Sequence, residues 1–185
     1  MPRVDAQRNI DALLAAAKEE FAAQGVDVNV RAIAARAGVG TATLYRHYPL
    51  RSDLISAVFR REIDEVAAAA PMLAETHPPL EALELWLQRY TAFVATKQGL
   101  AAALHSGDPA FSALPVYFEG QVGPALQKLL ESAESAGAIR GGVDALDLLG
   151  AVANLSIPPP GSRDPARAYR MVALLLDGMR FGAGA

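Results

Sequence analysis

The sequence predicts an all-α fold of about nine helices, and three observations carry that reading. Hydrophobic residues make up 52% of the chain, and alanine supplies much of that share, which favours helix over strand. In segment after segment the apolar residues recur at the helical period. No run has the alternation and β-branched bias of a strand, and no internal repeat is visible.

Asp5 to Gln24 reads as the first helix, with Ile10, Leu13, Leu14, Ala17 and Phe21 on one stripe and Gly25 as its left-handed stop. Asn29 caps a second helix, Val30 to Ala37, which turns Ile33 and Ala34 inward. Gly38-Val39-Gly40 breaks the chain, Thr41 caps a short third helix through His47, and Pro49 ends it. A long fourth helix starts near Arg51, buries Leu54, Ile55, Val58, Phe59, Ile63 and Val66, and is bounded by Pro71. The fifth, Leu80 to Lys97, is marked by Leu83, Trp86, Leu87, Tyr90, Phe93 and Val94. Gly99 opens a short sixth helix through His105, and Gly107-Asp108-Pro109 is a turn. Pro109 to Gly137 is mostly helical, with a kink or offset expected at Gly123-Pro124. Asp144 to Ile157 forms an eighth helix, which Pro158-Pro159-Pro160-Gly161 cannot continue. Asp164 caps the last, Pro165 to Arg180, and the tail from Gly182 to Ala185 is expected to fray.

Composition removes several function classes. The chain has no cysteine, which excludes disulfide scaffolds, thiol nucleophiles, thiolate zinc and iron–sulfur clusters. His47, His77 and His105 are too scattered to suggest a histidine metal site, so neither metal nor cofactor is expected. The N-terminus leads into a charged amphipathic segment, and no apolar run of about 18 residues exists, so no membrane partner is expected and the cytoplasm is the default location. Charge is uneven. Residues 1–61 hold nine Lys and Arg against six Asp and Glu, and residues 62–185 hold eight against fourteen. Arg31, Arg36, Arg46, Arg51, Arg60 and Arg61 face only Asp53 in their stretch. Such a block is either a footprint for a polyanion or an Arg-rich solvated face, and charge alone does not decide.

Residues 29–54 decide it. Two helices of about two turns each, broken at Gly38, make a helix-turn-helix unit. Ala34 and Gly38 allow close approach, and Val39 and Leu44 fill the angle between the helices. The second helix needs only to seat its leading end in a DNA major groove. Thr41 and Thr43 suit base edges or phosphates, and the methyl of Ala42 or Thr43 suits thymine. Tyr45, Arg46, His47 and Tyr48 have polar tips that reach phosphate oxygens, and Arg51 adds charge at a helix N-terminus. With Asn29 and Arg31 at the head of the preceding helix, these form the candidate DNA-binding set. Tyr48 is read as half core and half contact. His47 either faces phosphate or closes its helix. Arg36 and Arg60 are read as surface residues, and Arg3 and Arg8 as optional backbone contacts.

The same residues carry a resemblance. Residues 8–59 closely resemble the DNA-binding domain of the TetR family of bacterial transcriptional regulators, through 8–17, 21–25, 33–40, 43–49 and 53–55. Tyr48 stands where that family usually has Phe, and Arg51 where it usually has Lys; both keep the chemistry. Leu50 replaces what is often a small polar cap, so a less clean start to the fourth helix is expected. Residues 60–185 match in helix layout and length alone. The resemblance implies a DNA-binding domain over 1–50 and a ligand-binding and dimerisation domain over 51–185. It implies a homodimer that binds a double-stranded DNA operator and responds to a small-molecule effector, most often as a repressor released by that molecule.

The larger half offers residues for both implied tasks. Trp86, Tyr90, Phe93, His105, Phe111, Tyr117 and Phe118 are the candidate ligand-binding set, apolar with a few polar tips; the alternative is that these aromatics only fill a bundle core. The last two helices are apolar on more than one face, which calls for a second subunit as well as a core. Leu149, Val152, Met171, Leu174, Leu175 and Met179 are the candidate interface, in a two-fold arrangement. Two other functions compete. An enzyme would need a carboxylate such as Glu84 or Glu119 in the aromatic pocket, with no recognisable nucleophile or phosphate loop to support it. A helical scaffold without DNA binding would leave the basic block and the intact recognition helix unexplained.

Overall fold

The computed structural model describes residues 2–98, 106–157, 164 and 166–180. Among them are eight α-helices and no strand. They are α1 (Pro2–Gln24), α2 (Val30–Arg36), α3 (Thr41–His47), α4 (Arg51–Thr76), α5 (Pro79–Gln98), α6 (Leu114–Ser135), α7 (Ala145–Ser156) and α8 (Arg167–Arg180), with a 3-10 turn at Pro109–Phe111. The short helix expected over Gly99–His105, the 158–161 proline run, Pro165 and the tail lie outside the described residues.

One compact unit comprises Met1–Glu62 with Thr96–Pro115. Its core is Leu13, Ala17 and Phe21 of α1, Ile33 and Ala34 of α2, Leu44 of α3 and Leu54, Ile55, Val58 and Phe59 of α4. Gly25, at φ 81°, donates its N–H to the Phe21 carbonyl at 2.9 Å and ends α1 in the left-handed form expected of it. Ion pairs tie α1 to α4: Lys18 to Glu62 at 3.1 Å and Arg61 to Asp11 at 3.1 Å. Two expectations about helix starts change. The cap of α3 is Gly40, without a side-chain bond, and Thr41 is already helical. Leu50 supplies no polar cap to α4, but its N–H donates to Asp53 Oδ2 at 3.0 Å. The bond comes from the helix side of the junction, which compensates for the apolar cap.

The other unit comprises Ile63–Ala95 with Val116–Ala185. Here α4 does not stop at Pro71 but runs through it to Thr76. A proline removes one N–H and strands one carbonyl. The alanine run 67–70 and the buried stripe Ile63, Val66, Ala69 and Ala70 outweigh that loss. Pro124 likewise lies inside α6. Gly123 keeps the approach to α7 close: a Cβ there would stand 3.3 Å from Leu146 Cδ2. Asp144 caps α7 by accepting the Asp147 N–H at 2.9 Å. The loop after α6 is pinned by Arg140, whose N–H donates to the Met179 carbonyl of α8 at 2.8 Å. Asp164 accepts from the Ala166 and Arg167 N–H groups, so α8 starts at Arg167, later than the expected Pro165. The Arg170 guanidinium, 2.6 Å away, holds the Asp164 carboxyl below the usual carboxylate range. No helix among the described residues is long and apolar enough to cross a membrane.

Candidate functional site

The site grows from the turn after α2. Gly38 sits at φ 69°, a conformation glycine accepts without steric cost. Its N–H donates to the Ala35 carbonyl at 3.1 Å, and Val39 donates to Ala34 at 3.0 Å, the paired bonds of a left-handed helix end. At the other end of α2, Asn29 Oδ1 accepts the Arg31 N–H at 2.9 Å. Asn29 is thus a cap, and its exposed side chain is already engaged. Leu44 is buried beneath α3, while Ala42, Tyr45, Arg46 and His47 are exposed and Thr41 and Thr43 half-buried. Tyr48 is half-buried, and burial pushes its phenol above the usual range against an opposing effect of Arg61. Its backbone N–H closes α3 on the Leu44 carbonyl at 2.8 Å. All seven candidate residues that lie within α2 and α3 keep some access to solvent: Arg31, Thr41, Ala42, Thr43, Tyr45, Arg46 and His47.

The basic block shrinks when its partners are traced. Arg36 is not loose surface: Nε meets Glu20 Oε1 at 2.5 Å and Nη1 meets Glu19 Oε2 at 2.8 Å, which latches α2 to α1. Those carboxylates raise the Arg36 pKa further, the hydrogen bond to Glu20 most of all. Arg61 is paired with Asp11. Arg51, expected at phosphate, donates Nη1–H to the carbonyls of Val26 and Val28, the latter at 2.8 Å. Arg8, Arg31 and Arg46 remain exposed, with no side-chain ion pair or hydrogen bond among the described residues. The carboxylate partners were missed in the sequence, yet they left a sign. Glu20 and Glu62 fall on the buried stripes of α1 and α4, and a carboxylate on an apolar stripe needs an internal partner.

Four of the seven candidate ligand residues come together between α5 and α6. Trp86 stacks on Tyr90 with centroids 5.7 Å apart and planes 13° apart. Tyr90 also meets Phe93 at 6.0 Å and Phe118 at 6.1 Å, and Phe93 stacks on Phe118 at 6.1 Å. Trp86, Tyr90 and Phe93 are buried, and Phe118 is half-exposed at the edge. Two polar tips are engaged by backbone. Trp86 Nε1–H donates to Val66 O of α4 at 2.9 Å, and Tyr90 O–H to Leu149 O of α7 at 3.3 Å. Burial pushes the Tyr90 phenol well above its ordinary pKa. Tyr117 is half-buried and donates to Asp64 Oδ1 at 2.6 Å. Phe111 is buried in the segment that clusters with the first unit, and His105 lies outside the described residues.

The candidate interface residues divide. Leu149, Val152 and Met179 are buried by their own chain, because they lie on the faces by which α7 and α8 join the core. Met171 and Leu175 are half-buried, and Leu174 is 66% exposed. Leu146 of α7 is 50% exposed, and Ile157, the residue that caps the end of α7, is 55% exposed.

Residues 13–58 match the family model for bacterial regulatory proteins of the tetR family, and residues 78–181 that for the C-terminal domain of SbtR-like transcriptional regulators. No curated protein matches the chain. Among solved structures, a TetR transcriptional regulator of Streptomyces coelicolor is 35% identical, with 92% of this chain and 97% of that one covered at a TM-score of 0.74. A TetR transcription regulatory protein of Mycobacterium vanbaalenii is 30% identical, covering 97% and 99% at 0.76. A transcriptional regulator of Cytophaga hutchinsonii, 15% identical, shares the fold over 92% and 98% at 0.74.

Proposed function

The chain belongs to the TetR family of bacterial regulators, DNA-binding transcription factors and not enzymes, and on that premise we propose that it is a repressor released from its operator by a small, mainly apolar molecule. In this reading residues 1–50 hold DNA and residues 51–185 take the effector and a second copy of the chain in the cytoplasm. Thr41, Ala42 and Thr43 read base edges, while Arg31, Tyr45, Arg46 and His47 hold phosphates, which fix register without reading sequence. The exposed faces of the last two helices, with Leu146, Met171, Leu174 and Leu175, meet the same faces of a second copy. Two recognition helices about 34–36 Å apart then meet successive major grooves.

The bond from Trp86 Nε1 to Val66 O carries the effector reading. It joins the aromatic stack to α4, the helix that begins immediately after the DNA-binding segment. An effector inserted among Trp86, Tyr90, Phe93 and Phe118 must part rings that now touch, and so displaces the far half of α4. Trp86 and Tyr90 already spend their polar hydrogens on backbone, which favours an apolar effector with one or two hydrogen-bonding groups of its own. Such a molecule acts only through different affinities for two conformations, and the coupling is reciprocal, typically about 1–3 kcal/mol. The test is a calorimetric titration of a molecule selected by thermal shift from an apolar panel. It is run with and without the duplex that the protein recovers from a random-sequence pool. Operator should weaken the molecule by the factor by which the molecule weakens operator; equal affinities in both titrations refute the reading.

A further inference from the structure

We propose that Arg51 is a positioning residue for DNA binding, a clamp that joins the two ends of the helix-turn-helix to each other. The chain enters the unit through the loop at Val26–Val28, passes along α2, the Gly38 turn and α3, and leaves at Arg51, the first residue of α4. Arg51 Nη1 reaches back to the entry loop and donates to the carbonyls of Val26 and Val28, across 25 and 23 residues. Those carbonyls belong to two of the three residues that lead into Asn29, the residue that caps α2. One side chain thus fixes the entry, the cap of α2 and the first turn of α4 as one body, with the recognition helix strung between them.

The chemistry suits arginine. The planar guanidinium holds the two Nη1 hydrogens in fixed directions, one for each carbonyl, whereas a lysine ammonium is a hydrated point charge on a flexible stem. Two carbonyls outside any helix have no ladder partner, so a nearby guanidinium satisfies acceptors that the backbone leaves open. Closing the segment at both ends removes conformations that α2 and α3 would otherwise explore relative to α4. Arg31 and Arg46 contrast with it: they are exposed, without such partners among the described residues. Arg51 is half-buried and spends both Nη1 hydrogens on the fold. Its contribution to DNA binding is to hold the unit at a set angle rather than to neutralise a phosphate.

The experiment uses the full chain and the duplex that the wild-type protein recovers from a random-sequence pool. Arg51→Lys keeps the charge and loses the planar, directed Nη1 hydrogens; Arg51→Met loses both. The clamp predicts that both variants, still folded by circular dichroism, bind the duplex about tenfold more weakly than wild type, the loss expected for one or two charged hydrogen bonds. Their salt dependence should equal that of wild type, and the amides of Val26, Val28 and Asn29 should exchange faster. The proposal is overturned if Arg51→Lys binds as wild type while Arg51→Met loses affinity and about one phosphate's worth of salt slope, the signature of a phosphate cation. A second measurement needs no variant. In DNA-free wild-type protein, the Arg51 Nη protons should be resolved and slow to exchange by nitrogen-edited NMR, unlike those of Arg31 and Arg46. If all three average alike, there is no clamp.

Discussion

Replacing Tyr90 by phenylalanine removes one oxygen from the centre of the ring stack and should change sign in its effect on stability as pH rises. Near neutrality the loss is small. The O–H bond to Leu149 is long at 3.3 Å, and its acceptor lies inside α7, where a backbone N–H also serves it. About 0.5 kcal/mol is expected, the low end for a neutral hydrogen bond. Alkali reverses the order. Tyr90 is only 3% exposed, and burial raises its pKa, so the native phenol keeps its proton while the unfolded chain loses its own above about pH 10. The unfolded state then binds fewer protons, and native stability falls by about 1.4 kcal/mol per pH unit. Phenylalanine has no proton to lose. The variant should be the less stable protein at pH 8 and the more stable by about 1 kcal/mol at pH 11. Every other residue is common to the two proteins and cancels in the difference. Urea unfolding followed by circular dichroism, at fixed protomer concentration, measures it. A difference that is the same at both pH values would mean that the native phenol reaches water, and the burial argument would fail.

Other outcomes follow from the same geometry. Arg31→Ala and Arg46→Ala should each flatten the salt dependence of DNA binding by about one phosphate, whereas Arg36→Ala, which frees Glu19 and Glu20, should lower the melting temperature and leave the slope alone. Thr43→Val keeps the side-chain shape but loses a hydrogen bond worth roughly 1 kcal/mol, and selection from random DNA should recover a site altered at one or two positions per half. Asn29→Ala removes the cap of a seven-residue helix and should cost about 1 kcal/mol in chemical denaturation. Leu174→Glu places a charge on the exposed face of α8 and should shift sedimentation from dimer towards folded monomer; an unchanged dimer would move the interface elsewhere.

Local signals were legible in the sequence, and distant pairings were not. Asn29, Gly25 and Gly38 act within a few residues of themselves, and each ends or starts a helix as its chemistry dictates. The stripes of α4 and α5 were readable because burial follows the helical period. Pro71 misled because a breaker is weighed locally, whereas the helix around it is held by packing on both sides. The basic block was overcounted for the opposite reason. Arg36 finds Glu20 at a separation of 16 residues and Arg61 finds Asp11 at 50, distances that no charge window spans. In the same way, the sequence marked α7 and α8 as apolar on more than one face but could not assign Leu149 and Met179 to the chain's own core and Leu174 to its surface.

Trp86 is the chain's only tryptophan, and it lies fully buried, stacked on Tyr90 and bonded to the backbone of α4. Under excitation that spares tyrosine, all of the protein's emission therefore originates there. Its colour reports how dry the stack is, and its lifetime reports whether the indole N–H still holds Val66. The protein carries its own optical gauge of this ring stack, with no label to perturb it.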